Sequence, residues 1–354
     1  MTLSSRRLLV VAGGTRSTAS TRHRLWNYRP FLERDGVDLT WLEYTGGRIA
    51  SAGAAFAARA RFLLALARNA GASDVVLIQK VLPPISLVRR WRERGCRIVY
   101  DFDDALYARF QWGESEVHAA RRRRRFDAML ALASHVIAGS PPLAEYVRSR
   151  NASVEVLYPT LERERFQDLP RPKGNAGPVI GWVGNDQSQV YLRALEPVLG
   201  AVMAAHPTAR LRICSSGLPA MPTLPADRVE LIPWSEQGEL DAVASSDVAV
   251  SPLANDAWSQ ARGGRVSVLL SLAAGVPVIA APGGGLEQLV REAGDPAPGL
   301  VFAADATEWT SWLARLLDDP KERAVRSAAA RSLIDKTIWA DVQYPRFRQA
   351  VLAE

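Results

Sequence analysis

The stretch SPLANDAWSQARGGRVSVLLSLAAGVPVIAAPGGGLE, Ser251–Glu287, decides how the chain is read. It leaves a short apolar strand, crosses a polar loop to Arg262-Gly263-Gly264-Arg265, and enters an apolar helical run. A Gly275-Val276-Pro277 break follows, then the strand Val278 to Ala281, then the glycines Gly283, Gly284 and Gly285. A loop of arginine and glycine opening a helix suits an anion, because the unpaired backbone N–H groups and the helix dipole both face the incoming charge. Strand, loop, helix and strand in that order form one step of a parallel sheet covered by helices.

The same alternation extends over the chain. Strands are expected at Arg7 to Ala12, Asp38 to Leu42, Val75 to Gln79, Arg97 to Tyr100, Ser134 to Ala138 and Val154 to Leu157. Helices should lie between them, near Thr21 to Arg34, Ala54 to Ala70, Ile85 to Arg94, Glu116 to Leu132 and Pro142 to Arg150. The segment Arg163 to Pro178 is charged and rich in proline and glycine, which marks a linker. A second set then begins, with strands at Val179 to Val183, Arg210 to Cys214, Val229 to Leu231, Val248 to Val250, Val278 to Ala281 and Leu300 to Phe302. The expected class is α/β, with two doubly wound parallel sheets. The domains are residues 1–165 and 178–335, and a terminal helix in 336–354 packs back on the first. In such sheets ligands collect beyond the carboxyl ends of the strands, so the loops that follow strands deserve the closest reading.

Composition narrows the field. The chain has 354 residues, 48% hydrophobic and 23% charged, enough apolar material for two cores. No apolar run approaches a membrane span, and a cytoplasmic protein is expected, peripheral on the inner face of a membrane if it meets one. Cys96 and Cys214 are isolated, so neither a disulfide framework nor a zinc site is expected. Residues 1–170 hold 27 Lys+Arg against 17 Asp+Glu, whereas residues 171–354 hold 17 against 20. The first half should therefore meet something anionic. Arg121 to Arg125, five arginines in one helix, read either as attachment to an anionic membrane or as a solvated face. Nucleic acid is not expected, because no aromatic residues interleave with them.

Several loops carry chemistry. The first, Gly13 to Arg24, includes Gly14, Arg16 and Arg22 and suits an anion, although it lacks the GxGxxG spacing of a dinucleotide site. The alternative is a capped helix start with solvated arginines. Asp101-Phe102-Asp103-Asp104 follows the fourth strand and could supply a base, with metal binding a minor alternative and a capped turn the bland one. Gly184 and Asn185 end the first strand of the second set, and Gly184 would let a ligand approach the backbone. Ser215 and the turn Pro233-Trp234 end others on the same rim, with Trp234 edging a base pocket or simply buried. No histidine, serine or cysteine stands in a metal or triad pattern.

VYDFDDALY at Val99 to Tyr107, VIAGSPPLAEYV at Val136 to Val147, IGWVGN at Ile180 to Asn185 and the opening stretch together resemble the group 1 glycosyltransferases of the GT-B fold. The resemblance runs from about Arg7 to Asp319. It implies two Rossmann-like domains, a nucleoside-diphosphate-sugar donor on the second, a sugar, lipid-linked or natural-product acceptor on the first, retention of configuration, and neither metal nor resident cofactor. It places Gly184, Asn185, Ser215, Gly264, Ser267, Gly284 and Glu287 on the donor side with Gly14, Pro233 and Trp234. Arg262 and Arg265 would flank the diphosphate. Asp103 would be the acceptor-side catalytic or orienting group, beside Arg16, Arg22, Asp101 and Asp104. Two glutamates usual in the family stand here as Arg262 and Leu270, and a usual lysine as Ser267. Epimerisation or hydrolysis of a nucleotide sugar, or an inactive partner protein of the same fold, are the competing expectations.

Overall fold

The computed structural model describes residues 6–44, 52–110, 113–151, 153–169, 177–263, 265–294 and 299–353. The chain divides into two compact units. One comprises Met1–Thr160, Ala261–Gly264 and Ala340–Glu354; the other comprises Leu161–Gln260 and Arg265–Trp339.

The first unit holds β1 (Arg7–Ala12), β2 (Asp38–Glu43), β3 (Val75–Gln79), β4 (Arg97–Phe102), β5 (His135–Ala138) and β6 (Val154–Val156), in the order β2-β1-β3-β4-β5-β6. All neighbours are parallel. β3 reads VVLIQ and is buried at every position, as a central strand covered on both faces must be. Leu8, Val10, Leu77, Val99 and Ile137 form one core with Tyr28, Leu32, Phe347 and Val351. The last two come from the helix Ala340–Leu352, and the Phe347 ring stacks on Tyr28 with centroids 3.9 Å apart.

The second unit repeats the design with β7 (Val179–Val183), β8 (Arg210–Ser215), β9 (Val229–Pro233), β10 (Val248–Ser251), β11 (Val278–Ala280) and β12 (Leu300–Phe302), in the order β12-β11-β10-β7-β8-β9. Its core joins Ile180, Leu211, Ile213, Val250 and Ile279 to Leu199, Trp309 and Leu313 from the covering helices. The strand order reverses between β1 and β3 in one sheet and between β7 and β10 in the other. A crevice opens at each such point, beyond the carboxyl ends of the strands.

Three expectations are corrected. The helix foreseen over Thr21 to Arg34 is broken into Ala19–Arg24, a tight turn at Trp26–Tyr28, and Arg29–Arg34. Pro30 falls in the first turn of the last piece, where its missing N–H costs nothing, and it could not sit inside one continuous helix. β4 runs on to Phe102, so Asp101 lies in a strand, paired in register with Gln79. Pro233 is likewise in a strand, opposite Ser215; β9 is an edge strand and tolerates a residue without a donor. Among the described residues no helix is long and apolar enough to cross a membrane.

Truncating Phe347 to alanine removes a ring that is 1% exposed. The expected loss is about 3–5 kcal/mol, read as a lower urea midpoint.

Candidate functional site

The crevice of the first unit is built around charges that are buried and paired. Gln79, fully buried at the end of β3, accepts from Thr21 Oγ1 at 3.0 Å and donates to the Ser20 carbonyl at 2.9 Å, which holds the loop after β1 against the sheet. In that loop Gly14 packs on Thr18, where a Cβ would come within 2.4 Å of Oγ1. Neither functional nor bland reading of the loop arginines survives intact. Arg16 is exposed, but Arg22 is 1% exposed and its Nε donates to His23 Nε2 at 3.2 Å. His23 is therefore the neutral tautomer, donating from Nδ1 to the Thr160 carbonyl at 2.8 Å. Arg24 closes on Asp101 at 2.6 Å and donates to the Leu157 carbonyl at 2.8 Å. Burial opposes the Arg24 charge, but the Asp101 carboxylate more than offsets it and raises the guanidinium above its ordinary value. Burial pushes the Asp101 carboxyl up and Arg24 offsets this only in part, and in the structure Asp101 serves as the counter-ion of Arg24.

Asp103 and Asp104 have a different partner, one that sequence reading missed. Lys80 follows β3, and its ammonium lies 3.1 Å from Asp103 Oδ1 and also pairs with Asp104. Its φ of 58° makes it the sole left-handed non-glycine residue among those described. The Val81 N–H donates to the Gln79 carbonyl at 2.6 Å, closing a γ-turn of the rare, strained hand around Lys80. A signal was present: lysine is scarce beside arginine in this chain, and one stands directly after a strand. Burial opposes the Lys80 charge, yet the two carboxylates raise it above its usual range. Burial likewise opposes ionisation of Asp104, and Lys80 with Arg262 outweighs it, holding Asp104 below the usual carboxylate range. Asp103 itself is 4% exposed, its carbonyl accepts from Gly263 N–H at 2.8 Å, and its Cβ would crowd any Cβ at Gly139 at 2.9 Å. Arg262, grouped with this unit, contributes its charge here. Among the described residues no group of three His, Cys, Asp or Glu is placed to hold a metal ion.

In the second unit the rim of β7 and β10 is lined by backbone. The absence of a side chain at Gly184 leaves room for Trp182, whose ring a Cβ would approach to 2.4 Å. Asn185 Oδ1 accepts from Ser188 N–H at 3.0 Å, starting the helix Gln189–Ala194. Ser215 is fully buried and accepts from Gln189 Nε2 at 3.1 Å. Trp234 is half-buried, its indole donating to Glu239 at 3.2 Å. Arg265 does not hold out an open guanidinium: it is 7% exposed and donates to the Ala281 carbonyl at 2.5 Å and to Ser251 Oγ at 2.9 Å. It ties the ends of β10 and β11 together, so its expected contact with an anion gives way to bracing. Beside it Gly283, Gly284 and Gly285 have φ of 117°, 68° and 78°, a left-handed run open only to glycine. Gly284 N–H donates to the Gln260 carbonyl at 2.8 Å and Gly283 N–H to Glu287 Oε1 at 2.7 Å. Ser267 is half-buried and Leu270 is 1% exposed, so the family's polar handle is replaced by core. Gly264 lies outside the described residues. A groove of about 460 Å³ opens at the amino ends of β10 and β11, near Asp247, Gly275 and Arg323, the wrong rim for a doubly wound sheet.

The five-arginine helix Glu116–Leu132 divides its charge. Arg122 donates to the Leu106 carbonyl at 2.9 Å and pairs with Glu114, and Arg125 donates to the Leu82 carbonyl. Arg121, Arg123, Arg124 and Arg125 are exposed, Arg123 beside Asp127.

Comparison with known proteins agrees with this architecture. The structure superposes on WaaG, a glycosyltransferase involved in lipopolysaccharide biosynthesis, with a TM-score of 0.70 at 10% identity over 98% of this chain and 100% of that one. It superposes on Anabaena HepE, solved with UDP, with a TM-score of 0.66 at 13% identity over 97% and 98%. The two doubly wound sheets are therefore those of the GT-B fold. Residues 177–319 match the family described as Glycosyl transferases group 1. A GDP-mannose-dependent phosphatidylinositol monomannoside mannosyltransferase of Corynebacterium glutamicum is 33% identical over 148 residues, 38% of this chain and 36% of its own length. A D-inositol 3-phosphate glycosyltransferase of Thermobispora bispora is 29% identical over 226 residues, 56% of this chain and 50% of its own length. The chain thus spans half or less of the curated relatives it matches.

Two outcomes follow from the paired charges. Asp101→Ala strands the Arg24 charge in the core and should cost about 3–5 kcal/mol in chemical unfolding. The lowered Asp104 stabilises the fold above its unfolded value near pH ~3.9 and loses that contribution as pH falls through its folded value; the raised Lys80 stabilises below about pH 10.4 and loses it above. Lys80→Met should therefore lower thermal stability between those limits and leave little difference outside them.

Proposed function

We propose that the protein is a glycosyltransferase that moves a glycosyl unit from a nucleoside-diphosphate sugar to a hydroxyl acceptor. The observation that carries this reading is the family match over residues 177–319, which falls on the unit whose rim carries the left-handed run Gly283 to Gly285. The curated relatives, a mannosyltransferase and an inositol phosphate glycosyltransferase by name, support the same class.

In this mechanism the acceptor oxygen bonds to the anomeric carbon as the bond from that carbon to the diphosphate breaks. Stabilising the departing charge is the main demand, and fixed N–H donors meet it without reorganising. The Gly283 to Glu287 turn and the Arg265 brace keep the second-unit rim in one shape for that purpose. Asp103, whose carboxylate lies 3.1 Å from the Lys80 ammonium, accepts the acceptor's hydroxyl hydrogen bond and orients it. With retention, entering and leaving oxygens share one face of the sugar, and the departing phosphate oxygen takes the proton. The nucleotide sugar is a substrate, so the reaction needs no resident cofactor, and we assign no metal.

Calorimetry with UDP, GDP and ADP, followed by transfer assays with the matching donor sugars, tests this. At least one nucleotide should bind, and Asp103→Asn should reduce transfer about 10²- to 10⁴-fold while leaving nucleotide affinity unchanged. Binding of none of the three would remove the transferase, and turnover that isomerises the donor would favour an epimerase.

A further inference from the structure

The helix Ala52–Ala70 in the first unit has an outward face that nothing in the catalytic reading uses. Its inner side is anchored to the sheet: Leu66 and Ala70 are fully buried, and the Phe62 ring lies 4.9 Å from that of Tyr44. Its outer side shows Phe56 at 75% and Leu64 at 71% exposure, the two most exposed large apolar side chains among the described residues. Ala57 and Ala67 are exposed with them, as are Arg59, Arg61 and Arg68.

The order around the helix matters more than the composition. At about 100° per residue, Phe56, Ala67, Ala60, Leu64 and Ala57 follow one another across an arc of about 100°. Arg68 and Arg61 continue that arc on one side, and Arg59 lies about 60° beyond Phe56 on the other. The apolar strip is thus bordered by Arg68 and Arg61 along one margin, and Arg59, also exposed, lies on the other side between the azimuths of the buried Leu66 and Ala70. The helix carries three arginines from Arg59 onward and not one acidic residue, so no partner on its own turns neutralises them.

Such a face would be poorly placed against water, and a second copy of itself would set arginine against arginine. An anionic bilayer matches both parts: the strip enters the acyl boundary while the arginine stems reach out to phosphate. We propose that this face of helix Ala52–Ala70 docks the protein on an anionic lipid surface. The docking is independent of the transferase reading, and it moves the contact away from Arg121 to Arg125, where Arg122 and Arg125 are spent on neighbouring loops.

The test uses the full chain and sedimentation with vesicles of phosphatidylcholine alone or mixed equally with phosphatidylglycerol. The protein should bind the mixed vesicles, ignore the neutral ones, and be released in 0.5 M salt. Phe56→Ser with Leu64→Ser should lower the bound fraction at least tenfold at an unchanged melting temperature, and so should Arg59→Gln, Arg61→Gln and Arg68→Gln together. Arg121→Gln, Arg123→Gln and Arg124→Gln together should change it less than twofold. Cys96 and Cys214 are buried, so a dye on Leu64→Cys reports this position alone, and its emission should shift to the blue on the mixed vesicles. The docking face is overturned if the wild type binds no anionic vesicle or if only the Arg121 set abolishes binding. It is also overturned if the serine pair instead dissolves a dimer seen in analytical ultracentrifugation.

Discussion

The ion pair between Arg24 and Asp101 is the interaction on which the first unit depends. Both groups are out of water, and neither could be there alone, because an uncompensated buried charge costs several kcal/mol. The pair joins a helix to the end of β4, and the same guanidinium reaches the carbonyl of Leu157 beyond β6. The carboxyl end of the sheet is thereby closed around one rigid group. Two residues further along β4's exit stands Asp103, so its position is inherited from a contact it does not make.

The second unit solves a similar problem with a single cation. Arg265 donates to the carbonyls of Ala281 and Gly283, which gives the site a fixed frame. The chain spends its buried arginines as braces because a planar guanidinium can serve several acceptors in one geometry. At the rim of the first unit the cation is instead a lysine, Lys80, whose compact ammonium sits between two aspartates on a strained turn.

Much of this was legible before the coordinates. β1, β3, β7 and β12 have the bounds expected of them, because apolar runs buried on both faces have no polar alternation to blur their limits. The IGWVGN strand and the loop at Ser251 to Glu287 pointed to the double-sheet architecture that the superpositions bear out. Charge roles were not legible. Sequence shows that Arg22, Arg24 and Asp101 are charged, but not that Arg24 finds its partner 77 positions away, and so the loop read as an open anion site. Gly184 looked like a place for a ligand when its first neighbour is Trp182, two residues back. The scarcity of lysine marked Lys80, but the left-handed backbone that turns it toward Asp103 and Asp104 leaves no trace in a non-glycine residue.

Gly263 and Gly139 show a constraint of another kind. A Cβ on Gly263 would lie 2.2 Å from the Gly139 carbonyl carbon, so main chain rests on main chain where two distant segments meet. Neither position can drift, and neither can compensate for the other, since adding a side chain to one is not relieved by any change at its mate. A methyl group at Gly139 would press on Asp103 Cβ at 2.9 Å and one at Gly263 on the Gly139 backbone, so the contact that also holds the Asp103 carbonyl leaves no slack at either site.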